Sequence, residues 1–303
     1  MTLKFITCRI NSNVNLSIAL LVSAMFALSA CADMTTTRSA SSDTSVLTKE
    51  RIAKIIASPD RSAADRTNDM RRKPDQMLAF IGVHPGMVAL DLSASGGYTT
   101  ELLARAVGPT GRVYGQSAPR GPDSSARQPV APEGASATTA PSTQIASNAP
   151  PPAVRLTSPQ ALAERAKNPV VANIIPVVRK FEDPIPPEVA SNGLDLVTLM
   201  FNYHDLGHMG VDRARMNRAV FAALKGGGMY VIADHSGRPG TGISESGTLH
   251  RIEEGFLRQE VESAGFKLVG QGNFLRNPSD PRDKNTPEPP QPKDEFVLKF
   301  AKP

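Results

Sequence analysis

The residues best suited to chemistry sit in two short segments. Tyr203-His204-Asp205 and Asp234-His235 each set an imidazole beside a carboxylate. A histidine so placed can take a proton from a hydroxyl, amine or acid while the carboxylate fixes its tautomer. A histidine that only shapes a pocket through hydrogen bonds is the competing reading. With His208 and His250 added, the same residues offer nitrogen and oxygen donors for zinc or a similar ion. The local His-Asp-x-x-His spacing is not by itself a ligand pattern, and no metal is expected. A third segment, Val88 to Ala104, reads as a buried strand, a tight turn holding Gly96 and Gly97, and the start of a helix. That arrangement brings backbone amides to a ligand at a helix N-terminus.

These segments need a frame, and the hydrophobic periodicity predicts an alternating α/β domain. Helices are expected over Leu47–Ala57, Asp69–Ile81, Thr100–Val107, Ser158–Lys167, Val211–Leu224 and Arg251–Ala264. Strands are expected over Met87–Leu92, Arg112–Gly115, Asn173–Val178, Gly193–Phe201 and Met229–Ala233. Phe266–Gln271 and Glu295–Phe300 are expected as a closing pair, joined by an irregular Pro-rich stretch, Asn277–Lys293. Strand, helix, strand is the unit of a parallel sheet, and such a sheet places one ligand crevice at its C-terminal strand ends. Residues 117–154 are dense in Pro, Ala, Ser and Thr without apolar period, and are expected as a disordered insertion.

Val88 to Ala104 resembles motif I of the class I S-adenosylmethionine-dependent methyltransferases, an acidic residue followed by a glycine-rich turn. The likeness runs from Arg71 onward, apart from the insertion. Arg71-Arg72-Lys73-Pro74 to Gly86 is similar to the lead-in helix of a group of exported "predicted methyltransferases". Asp195 to Asp205 resembles motif IV, Ala223 to Ile232 the turn into strand five, and His250 to Phe266 the last helix with its Ala264-Gly265-Phe266 turn. The resemblance implies a Rossmann-like class I methyltransferase fold, with a mostly parallel seven-stranded sheet and helices on both faces. It implies S-adenosylmethionine as co-substrate and transfer of a methyl group to a small acceptor.

Residue by residue, it implies a donor site of Asp91, Ser93, Ser95, Gly96, Gly97, Tyr98, Gln116, Asp183 and Asn202. Asp91 would orient the donor's amino group through water, and Glu182-Asp183 would reach the adenine amino group. His204, Asp205 and His235 would face the acceptor. The chain departs from the pattern at three places. Ser93 and Ser95 stand where the family has glycines, which tolerate tight backbone angles. Gln116 stands where an acidic residue accepts from both ribose hydroxyls, and an amide must also present an NH₂. The expectation is weak donor binding, a changed ligand, or a non-catalytic relative that binds another ligand or an envelope partner. A dinucleotide oxidoreductase fits less well, because the turn lacks G-x-G-x-x-G and no acid ends strand two.

The N-terminus has the layout of an export signal. Lys4 and Arg9 precede a largely apolar run from Val14 to Leu28, and Leu28-Ser29-Ala30-Cys31 resembles a bacterial lipobox. The run is shorter than the ~20 residues a membrane-spanning helix needs. The expected organisation is a signal peptide over 1–30, lipidation at Cys31, a flexible tether over 31–46 and one domain over 47–303. A periplasm-facing lipid anchor follows, with the outer membrane favoured because Ala32 gives no reason for inner-membrane retention. Cys8 would leave with the signal, so the mature domain would hold no thiolate site. The net charge of +5 falls to +3 without Lys4 and Arg9. No basic run accompanies it, and nucleic-acid binding is not expected.

Overall fold

The computed structural model describes residues 46–119, 156–287 and 289–303, all within one compact unit. The signal peptide, Cys31, nearly all of the tether and residues 120–154 of the insertion lie outside the described residues. Among the described residues no helix is long and apolar enough to cross a membrane.

Seven strands form one sheet: β1 (Val88–Leu92), β2 (Arg112–Ser117), β3 (Ile174–Val178), β4 (Leu194–Met200), β5 (Leu224–His235), β6 (Lys267–Gly272) and β7 (Glu295–Ala301). Their spatial order is β3-β2-β1-β4-β5-β7-β6. The first five run parallel, and β7 is antiparallel to both of its neighbours. The chain leaves β1 toward β2 on one side and returns to β4 on the other. The C-terminal ends of β1 and β4 therefore flank the crevice where such sheets bind ligands.

Successive strand side chains point to opposite faces, and both faces are covered. Ala89, Val113, Leu196 and Val231 pack under α1 (Lys49–Ile56), α3 (Pro74–Ile81), α4 (Tyr98–Val107) and α5 (Ser158–Ala166). Leu90, Val197, Leu199 and Ile232 pack under α7 (Arg213–Ala223) and α8 (Glu254–Glu262). Strands buried on both sides read as the near-continuous apolar runs seen in the sequence.

Four expected boundaries are corrected. The helix expected over Asp69–Ile81 is two, α2 (Ala63–Arg72) and α3. Lys73 breaks them with a left-handed φ of 43°, and Pro74 opens α3. A residue before proline is disfavoured in the right-handed helical region. Ser117 is not insertion but the last residue of β2, paired with Val178. β5 begins at Leu224, with Gly226-Gly227-Gly228 bulged within it where the register shifts. The helix expected from Arg251 starts at Glu254, because Arg251 is drawn away into a buried pair with Asp280 at 2.8 and 3.1 Å. Its guanidinium also donates to the carbonyls of Ser236 and Lys284, so the Pro-rich stretch after β6 is tied to the end of β5.

Candidate functional site

β1 ends at Leu92, and the turn that follows adopts left-handed backbone at Ser93 (φ 55°), Ser95 (φ 51°) and Gly97 (φ 86°). The two serines therefore hold the conformation for which glycine is usual. What holds Ser93 there is Gln116. Its side-chain oxygen accepts the Ser93 amide at 2.9 Å and its NH₂ donates to the Arg179 carbonyl at 2.7 Å. Its own carbonyl accepts the Ala94 amide at 2.8 Å. A carboxylate could not donate to Arg179, so the amide suits this strap from β2 to both neighbours. The residue that the resemblance aligns with ribose recognition is wholly buried and bonded to backbone at both ends of its amide.

Asp91 is likewise turned inward, accepting from the Thr100 hydroxyl at 2.6 Å and the Thr198 hydroxyl at 2.7 Å. Burial pushes its carboxyl up to about 6, against the two threonine bonds and the nearby Arg72. A Cβ at Gly97 would lie 2.8 Å from both Leu162 and Arg165 of α5, so this glycine permits a helix to approach. Gly96 is open, with nothing within 4 Å of a Cβ, and its carbonyl accepts from Arg165 Nε at 2.6 Å. Tyr98 reaches away from the turn to donate to Asp69 of α2 at 2.8 Å.

A cavity of about 360 Å³ opens beside this turn, lined by Ser93, Ser95, Ser117, Ala118, Ser158 and Val178 among others. Small-molecule sites typically span ~300–1,000 Å³. Two serines of the sequence-predicted donor set line it. Asp183 is exposed and paired with Arg179, outside the lining.

The second half of the site lies where β4 ends. The Ser93 hydroxyl donates to Asn202 Oδ1 at 2.7 Å, and Asn202 Nδ2 donates to Asp205 Oδ2 at 2.9 Å. Asp205 Oδ1 then meets His250 Nδ1 at 2.7 Å and His204 Nε2 at 3.1 Å. Behind His204, Asp234 Oδ1 meets Nδ1 at 2.6 Å, and Asp234 Oδ2 accepts the His204 amide at 2.7 Å. Burial alone would lower the His204 pKa, but Asp234 and Asp205 outweigh it and push it up to about 10. With both ring nitrogens facing carboxylates, His204 is held in place from two sides. Burial would raise the Asp205 carboxyl, but His204 and His250 hold it below its usual value.

His235 is buried beside this cluster, its ring 5.2 Å from that of His204 and 5.7 Å from that of Phe201. Its Nδ1 lies 3.1 Å from Glu295 Oε1, which also accepts from Arg71 at 2.5 Å. Arg71 and Arg72 stand over the Phe201 ring at 5.0 and 3.9 Å, so α2 roofs the strand ends. The sequence did not single out Glu295 or Gln116's partner Arg179. Each becomes a neighbour only when distant strands pair. Asp234 was marked in the sequence by its adjacency to His235.

No protein-family model matches the chain, and no curated protein sequence does. Solved structures do match. A SAM-dependent methyltransferase from Aquifex aeolicus aligns at 14% identity with a TM-score of 0.50, over 85% of this chain and 100% of the other. The complex between the Haloferax volcanii Trm112 methyltransferase activator and the putative methyltransferase gives a match at 15% identity and a TM-score of 0.50, over 85% and 99%. With the sheet order above, these likenesses establish a Rossmann-like class I S-adenosylmethionine-dependent methyltransferase fold.

Proposed function

We propose that the chain transfers a methyl group from S-adenosylmethionine to a small acceptor. The observation that carries this reading is the cavity bounded by Ser93 and Ser95, at the turn between β1 and α4, on a methyltransferase fold. The donor would lie in this cavity over the Ser93–Gly97 turn. The acceptor would approach from the Asn202–His204–Asp205–His235 side, which Ser93 joins through Asn202. Methyl transfer asks mainly for in-line placement of the acceptor against the methyl carbon. His204, held between Asp234 and Asp205, would help shape the acceptor side of the site.

A second reading has a specific observation in its favour. Gln116 is bonded to Ser93 and Arg179 inside the chain, so the ribose contact of the family lacks its usual acid. On that reading the chain is a methyltransferase-like lipoprotein that binds another ligand or an envelope partner. For either reading we propose export and lipidation at Cys31, supported by the Leu28-Ser29-Ala30-Cys31 sequence and the basic, apolar run before it. Incorporation of a labelled fatty acid that persists in Cys31→Ser would refute the anchor.

Calorimetric titration of the full chain with S-adenosylmethionine and S-adenosylhomocysteine separates the two functions. Saturable binding that Ala118→Trp weakens, by filling the cavity, supports methyl transfer. Absence of binding to a folded chain favours the ligand-changed lipoprotein.

A further inference from the structure

The donor atoms of His204, Asp205 and His250 all lie within 4.8 Å of one another. We propose that these three residues bind a divalent transition-metal ion of zinc type, one per chain. Two imidazole nitrogens and a carboxylate oxygen are a donor set that zinc and its neighbours accept. The donors already crowd one point, with Asp205 Oδ1 2.7 Å from His250 Nδ1 and 3.1 Å from His204 Nε2. An ion bound at ~2.0–2.2 Å from each atom would replace these two direct contacts.

The surroundings fit the same role. Metal-binding histidines commonly give their second ring nitrogen to a carboxylate, which fixes the ring and raises its basicity. Asp234 does this for His204 at 2.6 Å and also clamps the backbone amides of His204 and His235. The other oxygen of Asp205 is held by Asn202. His250 reaches the cluster from a left-handed backbone, φ 51°. Such a conformation in a bulky residue is uncommon and is tolerated where surrounding structure fixes it.

Burial is graded across the three ligands. His204 is buried, whereas the side chains of Asp205 and His250 are 23% and 40% exposed. An ion can enter past His250, and three protein ligands leave at least one position for water or an acceptor. Through Asn202 and Ser93 the ion would stand one hydrogen-bonded chain away from the cavity. The inference does not depend on methyl-donor binding.

The test is titration of the chelator-treated full chain with Zn²⁺ by calorimetry, repeated with Co²⁺ by visible absorption, with circular dichroism to check folding. One equivalent of saturable Zn²⁺ uptake and a tetra- or five-coordinate Co²⁺ spectrum are expected. His250→Ala, at a part-exposed position, should weaken uptake at least about tenfold, since even outer-shell changes cost ~10–100-fold. His250→Gln provides the same comparison if the alanine variant loses structure. His84→Ala, outside the cluster, should leave uptake intact. No saturable uptake by the folded wild-type chain overturns the proposal. So does uptake undiminished by loss of His250, or reduced equally by loss of His84.

Discussion

The Ser93 hydroxyl and the Asn202 side-chain oxygen, 109 positions apart in sequence, meet at 2.7 Å. This bond joins the turn after β1 to the exit of β4, and so couples the cavity to the histidine cluster. Ser93 also stands at φ 55°, where a Cβ is disfavoured by about 1–2 kcal/mol. Ser93→Ala loses the hydroxyl bond and keeps the backbone cost, whereas Ser93→Gly loses the bond and relieves the cost. The glycine variant should therefore be the more stable of the two by roughly 1 kcal/mol, reversing the usual order. Urea denaturation of both variants checks this, and an alanine variant more stable than the glycine variant would exclude it.

Gly96 and Gly97 are adjacent but should respond unequally to substitution. A Cβ at Gly97 enters a left-handed backbone and lies 2.8 Å from Leu162 and Arg165, whereas one at Gly96 meets nothing within 4 Å. Gly97→Ala should destabilise by more than about 1 kcal/mol. Gly96→Ala should stay within about 0.5 kcal/mol of wild type. Equal thermal shifts for the two would contradict the placement of α5 over the turn.

Gln116→Glu would restore the family's acid at the end of β2. It would also remove the donor to the Arg179 carbonyl and leave that bond unmade in a buried site. A loss of about 1–3 kcal/mol is expected from the unsatisfied pair. If Gln116 instead faced the cavity freely, the change would leave the unfolding midpoint in place.

Asp91 carries a pH dependence whose sign is fixed by its burial. The native chain keeps the Asp91 proton up to about pH 6, while the unfolded chain releases it near the ordinary 3.8. The native state then binds more protons across that window, and its stability from this group falls as pH rises through it. Denaturant midpoints of wild type and Asp91→Asn, measured from pH 4 to 7, give the check. Wild type minus variant should decline up to about pH 6 and level off above it. A flat difference would place Asp91 in a solvated setting.

Much of the fold was legible in local sequence. Leu194 to Met200 and Glu295 to Phe300 read as strands because apolar residues dominate both segments, as burial on both faces requires. Arg251 shows where such reading fails. Its surroundings are helical in composition, but a buried carboxylate at Asp280, 29 residues on, holds the guanidinium and delays the helix to Glu254. Lys73 was missed for a different reason. α2 is too polar to show an apolar period of its own, so only the following Pro74 marks the break.

The sequence by itself determined the strand–turn–helix around Ser93 to Gly97, the alternating α/β order and the two imidazole–carboxylate segments. Backbone propensity, apolar period and adjacency are local properties. Tertiary structure decided what those residues do. Parallel pairing sets Gln116 against Ser93 and Arg179, and so makes an amide a strap where the resemblance implies a ribose contact. The β4 and β5 ends bring Asp234 to His204, and the later chain brings His250 to Asp205. Distances of 2.6–2.7 Å between groups 30 and 45 positions apart come from strand register and loop closure, which no short window of sequence encodes.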